Sequence, residues 1–222
     1  MIIQIYTKVS NYIFNLQGKK IKYILIILVF LGISFPALSE KKFENWQDLK
    51  FKNIVKQKYD FSCGVAALTT LFNYQFGRNT KEQKLLLDYL KSLPKKRQNK
   101  ITEFGLSLFE LKEIGEYFGF QVYVVKIPFQ GLVKANRPAL VYIENENFKH
   151  FVVFRGFKKG KVFLADPSLG NRSILPKDFI NLWKGTTALF LVSKKEKNLN
   201  ILDIHNKELT FPQYQTIRNM LK

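Results

Sequence analysis

The 222-residue chain predicts an α+β domain. Two observations lead there. Between Cys63 and Gly119 apolar residues recur at helical spacing; beyond Gly119 the pattern changes to β-branched and aromatic runs parted by turn residues. Helices followed by strands, rather than alternating with them, mark helices packed on a mainly antiparallel sheet. The composition supplies the core for such a domain, with 46% hydrophobic residues, 21 phenylalanines and 10 tyrosines.

Residues 1–39 read as a segment apart from the fold. Lys8, Lys19, Lys20 and Lys22 precede an apolar run over 23–35, and no acidic residue occurs before Glu40. Pro36-Ala37-Leu38-Ser39 places small residues at −3 and −1 of a cut before Glu40, the pattern of a secretory signal peptide. The run is short for a membrane span of roughly 20 residues, and an uncleaved membrane anchor is the alternative. Either way the domain over 40–194 is expected outside the cytoplasm, in the periplasm or another extracytoplasmic space.

Residues 43–56 read as a polar lead-in and a short strand. Cys63 then opens a helix whose Ala66, Ala67, Leu68, Leu71 and Phe72 share one side, with Gly77 as its stop. Thr80 and Gln83 form the signature of a capping box ahead of a second helix with Leu85, Leu86, Tyr89 and Leu90. A basic loop is expected over 94–100. Ser107 and Glu110 cap a third helix through Leu111, Ile114 and Phe118, closed by Gly119. Strands are expected over 121–127, 139–144, 150–157, 161–165 and 187–193, with a short helix over 177–184. Residues 195–222 read as a peripheral polar tail.

The net charge of +19 suits an anionic surface such as membrane or cell-wall polymer. The lysines are scattered, which reads as a solvated surface, and no nucleic-acid partner is expected. One cysteine allows no internal disulfide. With only two histidines, no metal-ligand spacing emerges, and no metal or cofactor is expected. Glu103, Glu110 and Glu113 fit a solvated helix face better than a pair of catalytic carboxylates.

The chemistry centres on Cys63. In the first helical turn, unpaired N–H groups and the helix dipole favour negative charge on its sulfur, the nucleophilic form. A lone cysteine also packs well as a small apolar residue, so the catalytic reading needs a base. His150 stands at the mouth of a strand; His205 lies in the polar tail and reads as exposed. A hairpin turning at Lys158-Lys159-Gly160 makes positions summing to about 318 face each other. Asp166 then comes within a residue or two of His150 and can hold one ring nitrogen while the other faces Cys63. Gln57, six residues before Cys63, can direct an amide N–H to the same point.

Gln57, the run Asp-Phe-Ser-Cys-Gly-Val-Ala-Ala-Leu, His150 in His-Phe-Val-Val-Phe and Asp166 before Pro167 resemble the bacteriocin-processing cysteine peptidases. The similarity extends over 51–193. Those are papain-like enzymes that cut leader peptides after a double glycine. The resemblance implies a papain-like fold and a cysteine peptidase, with Cys63, His150 and Asp166 as its catalytic triad and Gln57 at its oxyanion hole. Tyr59 and Phe61, crowding the cysteine, are expected to bind substrate and to favour cleavage after Gly-Gly or Gly-Ala in an exported polypeptide. Well-known members fuse this domain to an exporter and an ATPase. No Gly-x-x-x-x-Gly-Lys loop occurs here, so neither ATP binding nor transport is expected. A catalytically silent peptide-binding or accessory domain, and an amidase of cell-wall peptides, are the alternative readings.

Overall fold

A computed structural model describes residues 46–146 and 148–209. The signal-peptide or anchor reading of 1–39 lies outside the described residues. No helix among those described is long and apolar enough to cross a membrane.

The helical half begins with α1 (Trp46–Lys50), within the stretch 43–56 expected as a polar lead-in and a short strand. Asn53 then takes a left-handed conformation (φ 59°) and turns the chain toward the Gln57 loop. Helix α2 (Cys63–Thr70) continues into a π turn over Leu71–Gln75. All its residues from Gly64 to Thr70 are buried. The two threonines fit that setting by donating their hydroxyls to Val65 O and Ala66 O. Gly77, at φ +75°, ends the element as expected.

Helix α3 (Glu82–Lys91) starts later than the Thr80 capping box predicts. Asn73 takes Thr80 instead: Asn73 Oδ1 accepts the Thr80 N–H and Nδ2 donates to Thr80 O. The expected basic loop is helix α4 (Lys95–Phe104), with Pro94 before its first turn. It buries only Ile101, and Arg97 fastens it to Glu113 of α5 (Leu108–Tyr117) at 2.7 Å. The Ser107–Glu110 capping box of α5 forms as the sequence indicates.

Among the described residues, six antiparallel strands make one sheet: β1 (Gln121–Lys126), β2 (Ala139–Glu144), β3 (Lys149–Lys158), β4 (Lys161–Asp166), β5 (Gly170–Ile174) and β6 (Thr187–Val192). Their order is β1-β6-β2-β3-β4-β5. Near the site the β3–β4 register pairs Val153 with Ala165 and Phe154 with Leu164, the expected sum; a bulge between Phe154 and Gly156 shifts it by one toward the turn. Strand β5 and the short helix α6 (Phe129–Lys134) were not expected, and α7 (Pro176–Leu182) falls where a helix was.

Apolar residues alternate along the strands and so feed a core on each face of the sheet. One core gathers Leu140, Phe151, Val153, Ala165, Leu189 and Leu191 with helices α2, α3 and α5. The other joins Val141, Val152, Phe154 and Leu164 to Leu132, Phe179 and Trp183. The segment after β6 is packed on the domain rather than peripheral as far as Glu208. Leu202 is 1% exposed, Leu199 N–H donates to Gln75 O, and buried Arg155 of β3 pairs with Glu208.

Candidate active site

Three elements converge on Cys63. The first is α2, which begins at Cys63 itself, so the thiol stands at the open end of a buried helix, half-exposed. Ser62 precedes it but does not cap the helix. Its hydroxyl accepts from Tyr59 N and donates to Tyr59 O, closing the loop into a tight turn. Gly64 lets α2 come close to its neighbours: a Cβ there would sit 2.8 Å from Leu111 Cδ1 and 3.1 Å from the Phe151 ring. Phe151 follows His150 in β3, so this close approach sets the spacing between the helix of Cys63 and the strand of His150.

The second and third are β3 and β4. His150 Nε2 lies 2.8 Å from Asp166 Oδ1. Cys63 is near enough to act on the imidazole, and with Nε2 engaged by Asp166 this leaves Nδ1 to the thiol. Burial of the ring works against its charged form. The hydrogen bonds and negative charges of Asp166 and Cys63 outweigh that and raise its pKa to about 9. Asp166 is 1% exposed. Burial pushes its pKa up, but the His150 hydrogen bond and charge, the Arg172 charge and a backbone N–H hold it at about 2. At neutral pH this favours carboxylate beside imidazolium, the state in which the ring can give up a proton.

The Asp-Pro-Ser turn is heavily tied. Asp166 Oδ1 accepts from Ser168 N, Ser168 Oγ and Leu169 N, while Oδ2 faces Arg172 at 3.5 Å. Ser168 Oγ also reaches 3.3 Å from His150 Nε2. On β2, Tyr142 packs against Phe151, and its phenol is pushed up to about 12 by burial, then by Glu144 and the nearby Cys63. Arg172, Ser168 and Tyr142 were not singled out from the sequence. Extending the hairpin logic through the Ser168 turn would have placed Arg172 on the face of Asp166.

Gln57 is brought to the same region through its backbone: its N–H donates to Pro167 O at 3.0 Å. Buried Glu82 accepts the next N–H, that of Lys58, and pins the loop from the other side. The Gln57 side chain donates Nε2 to Tyr59 O at 3.2 Å, and its Oε1 is buried without a partner among the described residues. Tyr59, 41% exposed, stacks on Phe61 with ring centres 5.7 Å apart; Phe61 packs on the core beneath. His205 is exposed, in the segment leading to Glu208, as its sequence setting indicates. No group of three metal-ligating side chains assembles among the described residues.

The chain is 31% identical over 167 residues to a probable functional amyloid protease, FapD, of Pseudomonas fluorescens, covering 75% of this chain and 73% of that one. It is 28% identical to the FapD of Pseudomonas aeruginosa, covering 85% and 81% of the two chains. Among solved structures, the peptidase domain of Streptococcus ComA shares the fold with a TM-score of 0.52. Identity there is 21%, over 64% of this chain and 98% of that domain. The profile of the peptidase C39 family matches residues 51–197. With that match over more than half of its length, the chain belongs to the peptidase C39 family and is a cysteine-type peptidase.

Proposed function

We propose that this protein is an exported papain-like peptidase in which Cys63 attacks, His150 moves the proton and Asp166 orients and charges the ring. The observation that carries the reading is the placement of His150 between Asp166 Oδ1 and Cys63. In acylation the Cys63 thiolate adds to the scissile carbonyl. His150 passes its proton to the leaving nitrogen as the C–N bond breaks, leaving a thioester. In deacylation neutral His150 takes a proton from water; the hydroxide completes hydrolysis, and His150 and Cys63 return to their starting states.

Gln57 is the oxyanion donor in this scheme. Its amide nitrogen leaves Tyr59 O and turns to the carbonyl oxygen, while the bond from its backbone to Pro167 O keeps the residue in place. The Tyr59–Phe61 stack narrows the approach beside Cys63 and supports cleavage after small residues, of Gly-Gly or Gly-Ala type. The pattern of residues 1–39 supports export, with membrane association where that segment is retained. The relatives' description as functional amyloid proteases directs the substrate to an exported polypeptide of such a system.

A peptide-library digest read by mass spectrometry, run beside Cys63→Ala, tests the reading. Cleavage after small residues that vanishes in Cys63→Ala and His150→Ala is the expected result. A preference for large or charged residues before the cut overturns the specificity. Absence of any cleavage, with Cys63 inert to alkylation, favours a peptide-binding domain instead.

A further inference from the structure

Asp166 poses an electrostatic problem that His150 alone does not solve. In the proposed cycle, on which this inference rests, His150 is a cation only until it protonates the leaving amine. In the thioester intermediate the ring is neutral, and a carboxylate 1% exposed would stand without a countercharge. Such a carboxylate would resist the transfer, because each step that neutralises the ring isolates its own charge.

The structure holds a permanent cation at this point. Arg172 lies on β5 opposite Leu164, and Asp166 lies opposite Gly170 two pairs along. Arg172 and Asp166 therefore share a face of the sheet. The Arg172 side chain is 16% exposed, and its Nη1 stands 3.5 Å from Asp166 Oδ2, the oxygen turned away from His150. Its Nε is buried and has no hydrogen-bond partner among the described residues. Burying a guanidinium with one donor unmet is costly, which argues that the charge itself is what the position needs.

We propose that Arg172 is a positioning residue for the reaction, the countercharge that keeps Asp166 ionised and aimed while His150 is neutral. The site is then a row of alternating charge: Cys63 thiolate from α2, His150 from β3, Asp166 carboxylate from β4 and Arg172 from β5. On β2 the residue opposite His150 is Ile143; the ionisable groups nearest along the strands are Tyr142 and Glu144, on either side of Ile143, and Lys149 next to His150 in β3. Arg172 withdraws part of the carboxylate's hold on the imidazolium and so eases proton release to the leaving group.

Two readouts separate this role from simple bracing of the turn. The first is the titration of His150 by NMR in the full chain, which has only one other histidine, His205. In Arg172→Gln, His150 is expected to titrate about half to one pH unit higher than in wild type, as a nearby cation is lost. Arg172→Lys should return it toward the wild-type value. Arg172→Met, uncharged and of similar length, serves where the glutamine variant does not fold.

The second readout compares a peptide amide with an ester of the same acyl sequence. Amide hydrolysis needs the proton from His150 and should fall about 10-fold to 100-fold in Arg172→Gln, while the ester, with its better leaving group, loses less than about 3-fold. A His150 titration unmoved by Arg172→Gln and Arg172→Met, or equal losses on amide and ester, overturns the proposal. If the wild type has no Cys63-dependent turnover, it is the peptidase reading that fails, and the His150 titration alone decides the electrostatic role of Arg172.

Discussion

Adding one methyl group to the helix that begins at Cys63 should separate activity from stability. In Gly64→Ala the new Cβ would stand 2.8 and 3.0 Å from the two Leu111 methyls and 3.1 Å from the Phe151 ring. Ordinary carbon contacts are about 3.5–4.0 Å, so these neighbours must yield by about half an ångström or more. Leu111 is fully buried and Phe151 is 6% exposed, which leaves them little room to do so. Overpacking of this kind costs about 1–3 kcal/mol, offset by up to about 1 kcal/mol because alanine favours a helix over glycine. The net loss of stability is therefore about 0–3 kcal/mol. The strain falls between α2 and the residue after His150, so it moves Cys63 relative to the imidazole. A displacement of even a fraction of an ångström should lower the second-order rate of peptide cleavage by about 10-fold or more. Urea unfolding and the rate of Cys63 alkylation, measured on one sample, read both effects. A Gly64→Ala protein that is as active as wild type, and at least as stable, refutes the close-approach argument.

Other outcomes follow from the same geometry. The His150 pKa lies above its ordinary 6.5, at about 9, and so adds stability that is full below 6.5 and disappears as pH rises through 9. The Asp166 pKa lies below its ordinary 3.8, at about 2, and so adds stability that is full above 3.8 and disappears as pH falls through 2. Counted once, their interaction should contribute about 2–3 kcal/mol between pH 4 and 6.5; a flat unfolding free energy from pH 5 to 10 in wild type would contradict it. Gln57→Ala should slow acylation by about 100-fold with an unchanged pH profile, whereas a shifted optimum at unchanged rate would make Gln57 a tuner of a neighbouring ionisation. Glu208→Gln removes the charge opposite buried Arg155 and should cost about 1–3 kcal/mol in urea unfolding; a loss below about 0.3 kcal/mol would mean that the segment after β6 is not held there.

What was legible in the sequence was local. Ser107 and Glu110 satisfy each other within one turn, and the Lys159-Gly160 turn sets the β3–β4 hairpin to within one residue, the bulge between Phe154 and Gly156 supplying the final shift that brings Asp166 to His150. Elements held by distant partners were not legible. Helix α4 is polar along most of its length and buries only Ile101, so no apolar period announces it; Arg97 and Glu113 secure it instead. Strand β5 reads Gly-Asn-Arg-Ser-Ile and owes its place to pairing with β4. Thr80 and Gln83 have the spacing of a cap, but Asn73 competes for Thr80 across the intervening turn. The segment after β6 looked peripheral because its anchors, Arg155 and Gln75, lie far back in the chain.

The position of β6 has a consequence for when the molecule becomes dangerous to its neighbours. Strand β1 pairs only with β6 in this sheet, and β6 also pairs with β2, so the last strand made is the one that joins the first to the rest. Its Leu189 and Leu191 enter the same core as the helix that bears Cys63. A chain emerging in order from a ribosome or a translocation channel therefore carries the cysteine, histidine and aspartate long before it can hold them in register. Closing a sheet through such a distant partner is slow compared with forming a local hairpin. Proteolytic competence thus waits for residue 192, and a fragment ending before β6 should keep all three side chains and cut nothing.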